Sequence, residues 1–273
     1  MARQTRKQRD WQRRERLILA AADRLLVELG YHGLTMDRIA EAVEYSKGTV
    51  YQHFHCKEEV ITTLACHYLR IHLAMHERAA QLKGRSRERI TAVGEAYELF
   101  TRLYLPENRV LQIIRSEVVT EKASQECQFA MKTIEFRGIE IVTDIIRDAI
   151  TQEDLVLPKG TYPEGLAFGL WAVVSGAHAN ILRALPFHEI HIPDPFAATW
   201  KTSEVLCDGY NWRPLSSECD YEEVRERVRQ QLFPEEAKRV KNPDARLWPA
   251  PGWQDPTDLR PLRGVDDLLS SRN

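Results

Sequence analysis

Apolar positions over the first third of the chain recur at helical intervals. From Trp11 to Leu29, residues Ile18, Ala21, Ala22, Leu25 and Leu29 keep the three- and four-residue steps of one helix face, and Gly30 stands where a left-handed C′ residue ends such a helix. Gly33 frees the chain to turn, and Thr35 is an N-cap for a second helix with Asp37 in its first turn. Ile39, Ala40 and Val43 give that helix a short apolar face. Ser46 caps a third helix, Lys47 to Phe54, anchored by Val50 and Phe54. A connection this short forces the second and third helices to cross steeply, as in a helix-turn-helix.

The remaining pattern is also helical. Val60, Ile61, Leu64, Tyr68, Ile71 and Met75 line one side of a helix over 57–83, and Ser86 restarts the chain as a helix through Tyr104. Asn108 caps a further helix to Lys122, and a longer one covers 124–150. The segment 162–185 is the most apolar and carries the small residues Ser175, Gly176 and Ala177, so it calls for burial on more than one side. Asp194-Pro195 opens a helix to Asp208, and Asp220 to Phe233 reads as a charge-laced amphipathic helix. Nothing alternates like a strand, so the chain is all-α.

Charge changes the picture only when divided. The whole chain sets 38 Lys and Arg against 40 Asp and Glu, a near-neutral balance that by itself excludes an overall basic nucleic-acid binder. Residues 1–16, however, hold seven cations (Arg3, Arg6, Lys7, Arg9, Arg13, Arg14, Arg16) against Asp10 and Glu15. A basic arm on an acidic body is the footprint of a polyanion-binding tail. Beside it, the third helix exposes Lys47, Thr49 and Gln52: a cation, a hydroxyl and an amide suited to phosphates and base edges. Gly48 removes a side chain where another surface approaches. The five cysteines form no CxxC pair, which excludes a disulfide framework or zinc knuckle. Uninterrupted apolar runs are shorter than a membrane span, the basic N-terminus lacks the apolar segment of a secretory signal, and a cytoplasmic location is expected.

The run Ile39-Ala40-Glu41-Ala42-Val43-Glu44-Tyr45-Ser46-Lys47-Gly48-Thr49-Val50-Tyr51-Gln52-His53-Phe54, followed by Lys57-Glu58-Glu59, resembles the DNA-binding signature of TetR-family transcriptional regulators. The resemblance covers about residues 14–62. It implies an N-terminal three-helix DNA-binding head and a C-terminal helical body for ligand binding and dimerisation. By the same resemblance, Thr35 and Ser46 bring helix N-termini to phosphates and Lys47, Thr49 and Gln52 enter the major groove. Tyr51, His53 and Lys57 touch the backbone, while Arg13, Arg14 and their basic neighbours reach flanking phosphates or the minor groove. Two positions depart from the family pattern. Glu44 replaces the turn glycine, so either Glu44 takes a left-handed conformation or the turn differs, and Cys56 replaces the usual cap of the fourth helix.

The domain reading is a basic arm over 1–16, a helix-turn-helix domain over 17–56, a helical body over 57–210 and an extension over 211–273. In the extension, Trp248 and Trp253 among prolines suggest docking onto the body or onto a second subunit. The resemblance implies a double-stranded DNA operator, a small apolar or amphipathic effector and a homodimer through the helices around 162–185 and 195–208. Candidate effector-site residues are Tyr97, Phe100, Tyr104, Phe129, Phe136, Phe168, Trp171 and His178, although aromatics at helical spacing usually just pack. His72 and His76, with His67 nearby and Glu117 and Glu121 on another helix, have metal-binding spacing but no HExxH or cysteine support, so neither metal nor cofactor is expected. The leading function is a non-enzymatic, ligand-responsive repressor released from its operator by the effector. An architectural DNA binder without ligand and an all-α enzyme with an unrecognised site remain open, the latter without a nucleophile motif, paired carboxylates or a Gly-rich phosphate loop.

Overall fold

The computed structural model describes residues 5–105, 108, 111 and 125–241. These residues form α-helices and one short 3-10 turn, with no strand among them. The expected helix from Asn108 to Lys122 apart from Asn108 and Leu111, with Glu117 and Glu121, and the tryptophans at 248 and 253 lie outside the described residues. The chain divides into two compact units, the first containing residues 1–71 and 106–134 and the second 72–105 and 135–246.

The first unit holds α1 (Arg6–Gly33), α2 (Met36–Ala42), α3 (Lys47–His53) and the start of α4 (Lys57–Ala80). From Arg6 onward the basic segment is helical, since α1 begins there; Arg3 lies outside the described residues. Thr5 closes the first turn, its Oγ1 accepting from the Gln8 amide at 3.2 Å while Gln8 Oε1 accepts from the Thr5 amide at 2.9 Å. Gly30, at φ 70°, breaks α1 where the sequence places a left-handed residue. Ile18, Ala22, Leu26, Ile39, Val50, Phe54, Ile61 and Leu64 form the core, so each of the four helices contributes its apolar stripe. Within it the Tyr68 hydroxyl donates to the buried Asp23 carboxylate, and the Tyr31 hydroxyl donates to Glu58 at 3.0 Å.

The second unit contains the end of α4, then α5 (Ser86–Leu103), most of α6 (Gln125–Thr151), α7 (Pro163–Leu182), α8 (Pro195–Gly209), α9 (Tyr221–Gln231) and α10 (Pro234–Lys241). The caps at Asp194 and Asp220 form as expected, each accepting from the two amides of its first turn. Pro234 does not end the helical structure but opens α10, occupying the first helical position where its missing N–H costs nothing. α7 packs on α8, and both α9 and α10 pack on α5. Gly94 permits close approach of α5 to α8, since a Cβ there would lie 2.8 Å from the Trp200 ring.

The segment after α8 is integral to this unit. Trp212, Val228 and Phe233 are completely buried. Arg87, itself buried, donates to the carbonyls of Trp212 at 2.6 Å and Pro214 at 2.8 Å and pairs with Asp208 at 2.6 Å. A second buried network joins α5 to α9: Glu95 accepts from Arg225 at 3.0 Å and Arg229 at 2.7 Å. Of the described helices only α7 is long and apolar enough to cross a membrane by length and composition. Its buried His178 and its packing against α8 give it a structural place in this unit.

Candidate functional site

The geometry of the first unit centres on the junction of α2 and α3. Thr35 Oγ1 accepts from the Arg38 amide at 3.2 Å, and Ser46 Oγ accepts from the Thr49 amide at 3.1 Å. Between the helices the Glu44 amide donates to the Glu41 carbonyl at 3.2 Å and the Tyr45 amide to the Ala40 carbonyl at 3.0 Å. This is a Schellman closure, and its C′ position is Glu44 at φ 57°, the left-handed conformation usually given to glycine. The departure from the family pattern therefore changes the residue and leaves the turn intact.

Around that turn the structure exposes Thr35, Ser46, Lys47, Tyr51 and Gln52, with Thr49 half-buried. Lys47 is paired with Asp37 at 2.6 Å, and this partner raises its pKa. An added Cβ at Gly48 would meet only Ser46 Oγ, at 3.8 Å, so nothing inside the protein requires glycine there. Arg13 and Arg14 are exposed on α1. Lys57 points back into the unit, its Nζ donating to the Tyr31 carbonyl at 3.1 Å and lying 4.1 Å from the centre of the Tyr31 ring.

His53 differs from expectation. Its ring sits 3.8 Å from that of Trp11, and both ring nitrogens are buried without a hydrogen-bond partner among the described residues. Burial, then the charge of Arg14, holds its pKa below the ordinary histidine value. In this conformation both ring nitrogens are turned away from solvent. The ring secures α1 to α3 instead, a contact that local spacing does not reveal because its partners are 42 residues apart.

In the second unit four of the eight proposed effector residues come together. Tyr97 lies 4.6 Å from His72, 5.9 Å from His76 and 4.7 Å from His178, measured between ring centres. Phe100 stacks on His72 at 4.4 Å and lies 5.0 Å from Tyr104. His178 shares a 2.8 Å hydrogen bond with the Thr101 hydroxyl and meets the Phe196 ring at 5.3 Å. Burial lowers the pKa of His76 and of His178 to about 4, so both are neutral at pH 7. His76 Nε2 is buried with no hydrogen-bond partner among the described residues.

The other four proposed effector residues stand apart from this cluster. Phe136 is 64% and Phe168 61% exposed, and Phe129 and Trp171 are also exposed, because the faces of α6 and α7 that carry them have no helix packed over them among the described residues. No group of three or more metal-binding side chains occurs among the described residues. Sequence spacing missed Thr101 and Phe196, which join the cluster through contacts between helices distant in the chain.

Comparison with known proteins bears on the same features. Residues 18–64 match the family model of bacterial regulatory proteins, tetR family, a span that includes all of α2 and α3. No curated protein matches the chain significantly. Among solved structures, a bacterial regulatory protein in the tetR family from Rhodococcus RHA1 is 21% identical over 72% of this chain and 97% of its own, with a TM-score of 0.56. A transcriptional regulator of the TetR/AcrR family from Thermobifida fusca is 20% identical over 72% and 98%, with a TM-score of 0.54. The ketosteroid transcriptional regulator KstR2 of Mycobacterium tuberculosis is 15% identical over 72% and 94%, with a TM-score of 0.51. These are likenesses of fold, and the family-model match is confined to residues 18–64, the segment that holds the helix-turn-helix and resembles the DNA-binding region of tetR-family regulatory proteins.

Proposed function

We propose that this chain is a homodimeric repressor that releases its operator when a small organic effector binds the helical body. The observation that carries the reading is the capped, exposed face of α3, with Lys47, Thr49 and Gln52 around a glycine that internal packing does not need. In this reading Gln52 pairs with an adenine edge, and Lys47 and Thr49 contact bases or adjacent phosphates. Thr35, Ser46, Tyr51, Arg13 and Arg14 hold the backbone; Lys57 joins them by exchanging its Tyr31 contact for a phosphate, and His53 only positions α1.

Dimerisation is supported by a row on α7 that is unpartnered among the described residues. Gly165, Phe168, Gly169, Ala172 and Gly176 recur at three- and four-residue steps, and the three glycines have open space where a Cβ would stand. Exposed Val205 on α8 continues the apolar surface. Two copies of these helices bury that surface and carry two reader helices to half-sites about 34 Å apart. The effector reading rests on the cluster around Tyr97. The neutral imidazoles of His76 and His178 among aromatic rings suit an apolar or amphipathic molecule with a hydroxyl or carbonyl group, consistent with the ketosteroid in the description of KstR2. Its binding releases DNA only through unequal affinity for the two conformations.

The test is selection of a binding site from random duplex DNA, followed by titration of variants. Gln52→Ala is expected to relax preference at one position, and Tyr51→Phe to weaken binding to every sequence alike. Failure of the protein to enrich any sequence refutes the proposal.

A further inference from the structure

We propose that Asp37 and Lys47 act as one donor–acceptor unit that reads a single G·C base pair in the major groove, so that Asp37 helps to set the operator sequence. The inference rests on the DNA-binding reading above and adds to it a carboxylate that the reading leaves unused. Asp37 lies in the first turn of α2 and Lys47 in the first turn of α3, on either side of the turn between them. Lys47 Nζ stands 2.6 Å from Asp37 Oδ2, and the two side chains are 65% and 59% exposed. An ion pair this open to water adds little to stability, because solvent screens it and two side chains must be held still. Arg38 does not compete for the carboxylate, since its Nη1 donates to the Gly33 carbonyl at 2.6 Å. Beside Lys47, Gly48 leaves open surface through which the pair can approach a base edge.

The spacing of the pair selects its target. Guanine O6 and cytosine N4 are bonded to each other, so they lie roughly 2.9 Å apart on the edge of the base pair. O6 accepts and the N4 amino group donates. Lys47 and Asp37 present the opposite pattern at nearly the same separation, so both can meet the base pair with their own contact intact. The ammonium has three N–H groups; one stays with Asp37 and two are left for guanine O6 and N7. Asp37 keeps lone pairs for the cytosine amino group. A T·A pair also sets an acceptor beside a donor, but it places adenine N7 against the carboxylate and the thymine methyl against the ammonium. C·G and A·T reverse the order, facing the ammonium with an amino group and the carboxylate with an oxygen. Preference at this position therefore runs from G·C to T·A, with the reversed pairs last.

The experiment uses full-length protein and duplexes bearing the sequence it selects from random DNA, each position replaced in turn by all four base pairs. Wild type is expected to show a position where G·C binds at least about tenfold better than C·G. Asp37→Ala is expected to reduce that ratio to about threefold or less and to leave the preference at every other position unchanged. In D37A/K47A the loss at that position should be smaller than the product of the two single losses, because each residue acts through the other. Circular dichroism confirms that each variant folds; a weakened α2 would lower affinity for all duplexes alike and would not single out one base pair. A uniform change of affinity in D37A, tighter or weaker, with preferences unchanged overturns the proposal and assigns Asp37 to general electrostatics or to the fold. Losses that simply multiply in the double variant overturn it too, as does a selected sequence with no G·C position sensitive to D37A. If these results fail while Gln52→Ala still relaxes its own position, the DNA-binding reading stands without the pair; if wild type selects no sequence, both fall.

Discussion

Replacing Glu44 by glycine should stabilise the protein, although it shortens a side chain and adds freedom to the unfolded chain. Glu44 sits at φ 57°, and its amide and that of Tyr45 close the end of α2 at 3.2 and 3.0 Å. An L-residue in the left-handed region costs roughly 1–2 kcal/mol through crowding of its Cβ. Glycine avoids that cost but loses about 0.5–1 kcal/mol more backbone entropy on folding than a residue with a Cβ. The Glu44 side chain is exposed, so its removal sacrifices no packing. The difference favours glycine by about 0.5–1 kcal/mol, a rise of roughly 1–4 °C in the melting temperature. Glu44→Ala is the control, because alanine keeps the Cβ and therefore the crowding; its stability should stay within about 0.5 kcal/mol of wild type. Thermal and urea unfolding of all three proteins measure the effect. Equal stabilisation by glycine and alanine would refute the backbone argument and point to the lost charge.

Gly48→Ala separates fold from function: helix propensity should raise stability by up to about 1 kcal/mol in urea titration, while the added methyl weakens operator binding. A variant that gains stability and binds DNA unchanged would refute the close approach at that position. Glu95→Ala removes the buried carboxylate shared by Arg225 and Arg229, which keep Glu98, Glu222 and Glu226 as partners, and should cost about 1–3 kcal/mol in chemical denaturation, with partial recovery when Arg225 is replaced by Met as well. His76 and His178 titrate at about 4 when folded and near their ordinary value of 6.5 when unfolded. Falling pH therefore protonates the unfolded chain first, so their contribution is complete above pH 6.5 and is lost toward pH 4, by about 3 kcal/mol for each imidazole. Melting curves across that interval should flatten in H76Q/H178Q. Gly169→Arg puts a charge into the row assigned to dimerisation and should give a folded monomer by sedimentation; an unchanged dimer would move the interface elsewhere.

The helix-turn-helix was legible because each part of it is local. Thr35 and Ser46 bond to amides three residues ahead, Val50 and Phe54 are one helical turn apart, and the closure at Glu44 spans six residues. The starts of α8 and α9 were legible for the same reason, since Asp194 and Asp220 bond within their own first turns. The extent of α1 was less visible. Its first two turns bear almost no apolar residues, so hydrophobic periodicity is silent there and the capping box carries the helix to Arg6.

The effector candidates divided for a physical reason. Spacing along a helix places an aromatic on a face but does not say what that face meets. Tyr97, Phe100 and Tyr104 on α5 meet other rings, whereas Phe136 on α6 and Phe168 on α7 remain exposed. The sequence by itself determined an all-helical chain with a capped reader helix beside concentrated positive charge, because caps, helix periods and local charge act over one or two turns. The tertiary structure decided that Trp11 holds His53, that Arg87 and Glu95 anchor the segment beyond α8, and that α7 has a glycine-lined face uncovered among the described residues. Those outcomes depend on pairs brought together across tens to more than a hundred residues of chain, where no local preference favours one partner over another until the helices pack.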